Sequence, residues 1–186
     1  RIKLSGGPAL QLERGTIYVD SDEATKEPGG LAIHTGIGII RDVGTRFEVR
    51  VRDREVRIRV RQGAVSIDRE GRSREILSGA ELSINEAGGT TTGTVPRYGP
   101  EWSWVLEAAP EFELEGRTLG EFLEWVSSET GLRVELTGES MEHKTMEIVL
   151  HGSVAGLRPD QAPAAVLPTC GLGYSVVGDT LIISSH

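Results

Sequence analysis

Between Leu10 and Asn85 the chain alternates apolar and polar residues over short runs, each ended by glycine or charge: Thr16-Ile17-Tyr18-Val19, Leu31-Ala32-Ile33-His34, 46–52, 55–61, 64–68, 74–77 and 81–84. A period of two marks strands with one buried face, and no period of 3.6 runs through this half. The clearest hairpin joins Phe47, Val49 and Val51 to Val56, Ile58 and Val60 across Asp53-Arg54. Buried positions are odd before that turn and even after it, which predicts a solvated face carrying Arg50, Arg52, Arg57, Arg59 and Arg61. Short strands at this spacing predict an all-β domain, a sandwich or a β-solenoid.

From Asn85 to Pro100 the chain is glycine, threonine and proline without large apolar side chains, the composition of a linker. The expected organisation is an all-β domain over residues 1–88, a linker and connector over 89–110, and an α+β domain over 111–186. Within the connector, Glu101 to Leu106 reads as a short helix or a packed segment before Pro110.

The last part repeats itself. Phe112 to Gly116, Leu119 to Glu129 and Thr130 to Val134 read strand, helix, strand; 148–152, Asp160 to Leu167 and 170–174 read the same way. Two βαβ units are expected. In the first helix Thr118 and Glu121 form a capping box, Leu119, Phe122, Leu123 and Val126 make the apolar stripe, and Gly131 is a left-handed terminator. The second helix is expected to begin at Pro159 and to be short or distorted by Pro163. A hairpin over 174–183, turning at Gly178-Asp179, closes the chain.

The segment Asp42-Val43-Gly44-Thr45-Arg46-Phe47-Glu48-Val49 resembles the central motif of the FecR family, periplasmic parts of bacterial cell-surface signalling proteins; Gly63-Ala64-Val65 and Leu77-Ser78-Gly79 extend the likeness. The last part resembles the STN domain shared by secretins and TonB-dependent receptors, through Leu119, Leu123, Thr130-Gly131-Leu132, Leu150-His151-Gly152, Leu157, Pro159, Gly171 and Leu181-Ile182-Ile183. The resemblance implies a non-catalytic periplasmic module that relays the state of a TonB-dependent outer-membrane receptor, as in iron uptake, towards an extracytoplasmic-function sigma factor. The sigma factor would be reached only through a cytoplasmic anti-sigma segment, and the inner membrane only through an upstream helix, neither of which the sequence contains. Arg1-Ile2-Lys3-Leu4 reads as mid-sequence, so an anchor upstream is expected. The alternative is a structural or carbohydrate-binding envelope module whose arginine face meets an anionic polymer.

Composition narrows the chemistry. Of a net charge of −8, residues 1–95 hold 15 Lys and Arg against 14 Asp and Glu, and 96–186 hold 5 against 14. An acidic second half disfavours nucleic acid and favours a basic protein partner. The single cysteine, Cys170, rules out an internal disulfide and reads as a small core residue. Histidines 34, 143, 151 and 186 never take a metal-ligand spacing, and Gly36-Ile37-Gly38 lacks the lysine and helix of a phosphate loop. No enzyme activity, metal or cofactor is expected. The candidate partner site is Trp125, which either covers the rim of the core or anchors a partner, with Arg133, Glu135 and Thr137 on a strand that could edge the sheet. Arginines of the sheet face are expected to pair across strands with acids such as Glu48 and Glu55.

Overall fold

A computed structural model describes residues 9–21, 31–42, 44–138 and 141–185. Arg1 to Leu4, Val43 of the central motif and His186 lie outside them. The chain divides into two compact units, 1–97 and 98–186.

The first unit holds two five-stranded sheets. One is ordered β1 (Ala9–Gln11), β3 (Ala32–His34), β4 (Ile39–Asp42), β7 (Ala64–Arg69), β8 (Arg72–Leu77); the other β10 (Thr90–Thr94), β9 (Ala80–Asn85), β6 (Glu55–Gln62), β5 (Arg46–Arg52), β2 (Gly15–Asp20). Both turn their apolar faces onto a single core, with Ile33, Ile40, Val65 and Ile67 from the first and Phe47, Val49, Ile58, Val60 and Leu82 from the second. This is the sandwich of the two expected alternatives. Phe47, Val49 and Val51 face Val60, Ile58 and Val56 as the hairpin pattern predicts, and Asp53 and Arg54 both take positive φ, 48° and 69°, as a two-residue turn demands.

Three crossings between the sheets meet at one end. The chain passes from β4 to β5 at Gly44, from β6 to β7 at Gly63 and from β8 to β9 at Gly79, with φ of 85°, 81° and 83°. The amides of Ser78 and Gly79 donate to the carbonyls of Gly63 (2.9 Å) and Val60 (2.8 Å). A Cβ on Gly63 would stand 2.5 Å from the Thr45 methyl, so close packing as well as φ requires glycine there. At the first crossing the buried Asp42 carboxylate accepts hydrogen bonds from the Ser21 and Thr45 hydroxyls and from the Gly44 amide (2.9 Å).

Residues 90–94 fall where a linker is expected, yet they form β10 and pair along β9. Threonine is β-branched and favours strands, but an exposed edge without large apolar side chains leaves no alternation to read.

In the second unit α1 (Ser103–Leu106) follows a 3₁₀ turn at Pro100–Trp102, and α2 (Leu119–Thr130) carries the expected capping box, stripe and left-handed Gly131. The sheet is three-stranded, ordered β11 (Arg133–Thr137), β13 (Thr180–Ser185), β12 (Leu172–Val177); β11 and β13 are parallel, β12 and β13 antiparallel. The opening strand of each expected βαβ unit is absent. In their place, segments 114–119 and 148–150 exchange backbone hydrogen bonds around one antiparallel bridge, Thr118 to Val149. Gly116 at φ 74° and Gly152 at φ 112° turn the chain before a ladder can extend.

Helix α3 (Met141–Glu147) has no counterpart in the sequence pattern; α4 (Ala162–Val166) begins later than Pro159. Pro163 therefore lies in the first turn of α4, where its missing N–H costs nothing, and Pro168 enters the following 3₁₀ turn, Leu167–Cys170.

Replacing Asp42 with alanine leaves the Thr45 hydroxyl and the Gly44 amide without their acceptor and leaves Ser21 only the Thr45 carbonyl (3.2 Å), and is expected to cost about 2–4 kcal/mol. Asp68→Ala, which breaks the exposed pair with Arg41 and a surface hydrogen bond with Ser73, should cost about 1 kcal/mol or less. Urea denaturation of both variants measures the contrast.

Candidate interaction surfaces

Trp125 is placed by α2 beside the stripe that faces the core. Its ring stacks on Phe112 (centroids 5.2 Å apart, planes 29° apart), lies 5.9 Å from the Phe122 ring, and its indole N–H donates to the Pro110 carbonyl (3.2 Å). The side chain is half-buried, held by the ring stack and the indole hydrogen bond, and packs against the second core.

Arg133, Glu135 and Thr137 alternate on β11, at an end of the sheet order. They pair in register with Thr180, Ile182 and Ser184, while Val134 and Leu136 pair with the buried Leu181 and Ile183. The three residues thus share the face away from the core, whereas Trp125 belongs to the helix that packs on the core face. The structure brings the three strand residues together and does not bring Trp125 to them. Arg133 is held by Asp179 (2.8 Å) and Thr137 donates to the Ile183 carbonyl (2.9 Å).

Sequence patterning missed the opposite edge. In β12, Tyr174, Val176 and Val177 are exposed, and no charged residue occurs between Asp160 and Asp179. The hairpin turn at Gly178-Asp179 makes Val177 and Thr180 a hydrogen-bonded pair, so alternation directs the N–H and C=O groups of Tyr174 and Val176 outward, away from β13. A long neutral edge with exposed apolar side chains is the kind that soluble proteins ordinarily blunt with lysine or proline. The signal was present in the uncharged stretch, but its position at an edge follows only from the strand order.

On the second sheet of the first unit the expected arginine face exists and is largely paired. Arg57 reaches Glu48 (2.8 Å), Arg59 bonds Glu81 and Arg46 holds Asp20 (2.9 Å). Arg61 departs from expectation: it is 1% exposed, donating to the Arg97 carbonyl (2.7 Å) and the Tyr18 hydroxyl (3.3 Å), because the chain following β10 crosses that end of the face. Burial pushes the Tyr18 phenol up, with Arg61 opposing it. A cleft of about 430 Å³ at the β5–β6 turn has Leu12, Val51 and Val56 in its wall and a rim of mixed charge.

Among the described residues no group of three His, Cys, Asp or Glu side chains could hold a metal ion. His143 pairs with Glu147, and His151 meets Glu115 (2.9 Å), which also accepts from the Gly152 amide (2.8 Å). Cys170 is half-buried against the second core, and Thr35 closes the 36–38 turn by donating to the Gly38 carbonyl (2.8 Å). No described helix is long and apolar enough to cross a membrane.

The crossing at Asp42 to Thr45, with its buried carboxylate and left-handed glycine, falls within a segment that has known relatives. Residues 3–66 match the FecR protein family. No curated protein matches the chain. Two crystal structures of a protein from Parabacteroides distasonis ATCC 8503, described as a "putative anti-sigma factor", align with 97% of this chain and 81% of that one at 11% identity and a TM-score of 0.45.

Trp125→Ala removes a stacked ring and a hydrogen bond and is expected to destabilise the second unit by about 2–3 kcal/mol, measured by denaturant unfolding followed through a second-unit probe. The carboxyls of Glu115 and Glu121 are held below the ordinary glutamate range, Glu115 by His151 and then the Gly152 amide, Glu121 by the Thr118 amide and then Arg117. A depressed folded pKa gives stability that is complete above the unfolded value and is lost as pH falls through the folded one. Acid titration followed by side-chain NMR should find both glutamates ionised below the pH at which a free glutamate protonates.

Proposed function

We propose that the chain is a non-catalytic periplasmic relay, receiving the state of a TonB-dependent outer-membrane receptor and passing it, through segments outside this sequence, towards an extracytoplasmic-function sigma factor. The observation that carries this reading is the FecR match over 3–66, whose motif residues Asp42, Gly44 and Thr45 build the crossing between the two sheets. The second unit, whose sequence resembles the STN domain, supplies the receptor contact. Its β12 edge suits an incoming strand: the Tyr174 and Val176 backbone groups point outward, their side chains are apolar, and no charge repels a neighbour. The surplus of 14 acids over 5 bases in 96–186 favours a partner strand flanked by lysine or arginine. Arg133, Glu135 and Thr137 remain a second candidate surface, on the face away from the core.

Calorimetric titration with the signalling domain of the cognate receptor tests this. Val176→Lys places a charge on an already exposed edge and should weaken binding about tenfold or more with the melting temperature nearly unchanged, while Glu135→Lys should leave binding intact. Loss of binding in Glu135→Lys alone would move the contact to β11. Failure of the unmodified chain to bind would contradict the receptor link.

A further inference from the structure

The register of the second sheet places one row of side chains across the middle of its outer face: Thr91 of β10, Ser83 of β9, Arg57 of β6, Arg50 of β5 and Thr16 of β2. Two arginines stand directly opposite each other with hydroxyls on either side and no carboxylate in the row. Like charges in direct cross-strand opposition oppose pairing, so this row works against the sheet that contains it. The neighbouring acids meet the conflict only in part: Glu48 offsets the charge of Arg57 and Glu81 that of Arg59, while the Arg50 Nε–H donates to the neutral Thr16 hydroxyl (2.9 Å). The Arg57 Nε–H is buried and has no hydrogen-bond partner among the described residues. Arg52, two residues along on the same face, meets the exposed Asp53 at 3.3 Å. Arg50, Arg52 and Arg57 line an open concavity of about 370 Å³ together with Asp53 and Glu55, three cations against two carboxylates.

We propose that Arg50, Arg52 and Arg57 form a binding site for a tetrahedral oxyanion, a phosphate or sulfate group. A guanidinium offers parallel N–H donors to two oxygens of such a group, and two guanidinia facing one concavity can share one anion. Binding would neutralise Arg50, the one of the two opposed arginines that bonds a neutral hydroxyl and not a carboxylate. Arg50 carries the recognition, because Arg57 is committed to the buried Glu48 and Arg52 sits at the open rim. The site lies in the first unit and is independent of the receptor contact on β12.

The test is titration of the purified chain with inorganic phosphate and sulfate at constant ionic strength, set by chloride so that general screening is unchanged. Arginine Nε–H NMR signals are the readout. Saturable shifts confined to Arg50, Arg52 and Arg57 are expected. Arg50→Gln should weaken binding about tenfold or more, and Arg50→Lys, which keeps the charge and loses the fork, should weaken it several-fold. Arg74→Gln, an equal loss of charge on exposed β8, should leave it intact. A sugar phosphate titrated in parallel separates the sources: tighter binding than inorganic phosphate assigns the phosphate of a glycan, and equal binding assigns the free ion. Non-saturable shifts, or an Arg74→Gln effect equal to that of Arg50→Gln, would overturn the proposal. If Arg50→Gln fails to fold, the shift pattern of the unmodified chain decides alone.

Discussion

A carboxylate taken out of water must be met by donors, and the first unit is arranged around one such group. Asp42 ends β4 in one sheet; Ser21 follows β2 and Thr45 precedes β5 in the other, and all three meet at its oxygens. The arrangement fixes where the chain changes sheets. The Gly44 amide can reach the same carboxylate because residue 44 is left-handed, and Gly63 then packs against Thr45 with no room for a side chain. Ser78 donates to the Gly63 carbonyl and adds the third crossing. Asp42, Gly44 and Thr45 of the motif, with Gly63, Ser78 and Gly79, are corner residues, which explains why they are small or polar amid strands of valine and isoleucine.

The second unit applies the same rule to backbone groups. Segments 114–119 and 148–150 satisfy part of their hydrogen bonding by pairing with each other, and α2 satisfies its first turn through Thr118 and Glu121. The edge of β12 is the exception, since the outward groups of Tyr174 and Val176 meet solvent beside apolar side chains. An uncharged edge of that kind invites pairing with a further strand, the property on which the proposed receptor contact rests.

How much of this could be read in the sequence follows from where the apolar residues fall. The hairpin of β5 and β6 and helix α2 bury regular stripes, so period and capping located both. Helix α3 buries Met141 and Thr145 and presents no stripe, and β10 buries nothing large. The two expected opening strands carry apolar residues enough for a strand but end in left-handed glycines, so local pattern favoured a ladder that backbone geometry does not allow. Arg61 obeys the alternation of β6 and is buried all the same, because a segment 36 residues away covers it. Trp125 was legible as a rim residue, whereas its distance from the face bearing Arg133, Glu135 and Thr137 depended on knowing which side of the sheet α2 occupies.

The relay account turns on whether a receptor strand adds to the second unit's sheet, and amide hydrogen exchange resolves that residue by residue. With the receptor signalling domain bound, the amides of Tyr174 and Val176 should slow markedly relative to the free chain, while those of Ser175 and Val177, already paired to β13, should change little. Protection appearing along β11, or none in either strand at saturating receptor domain, would contradict it.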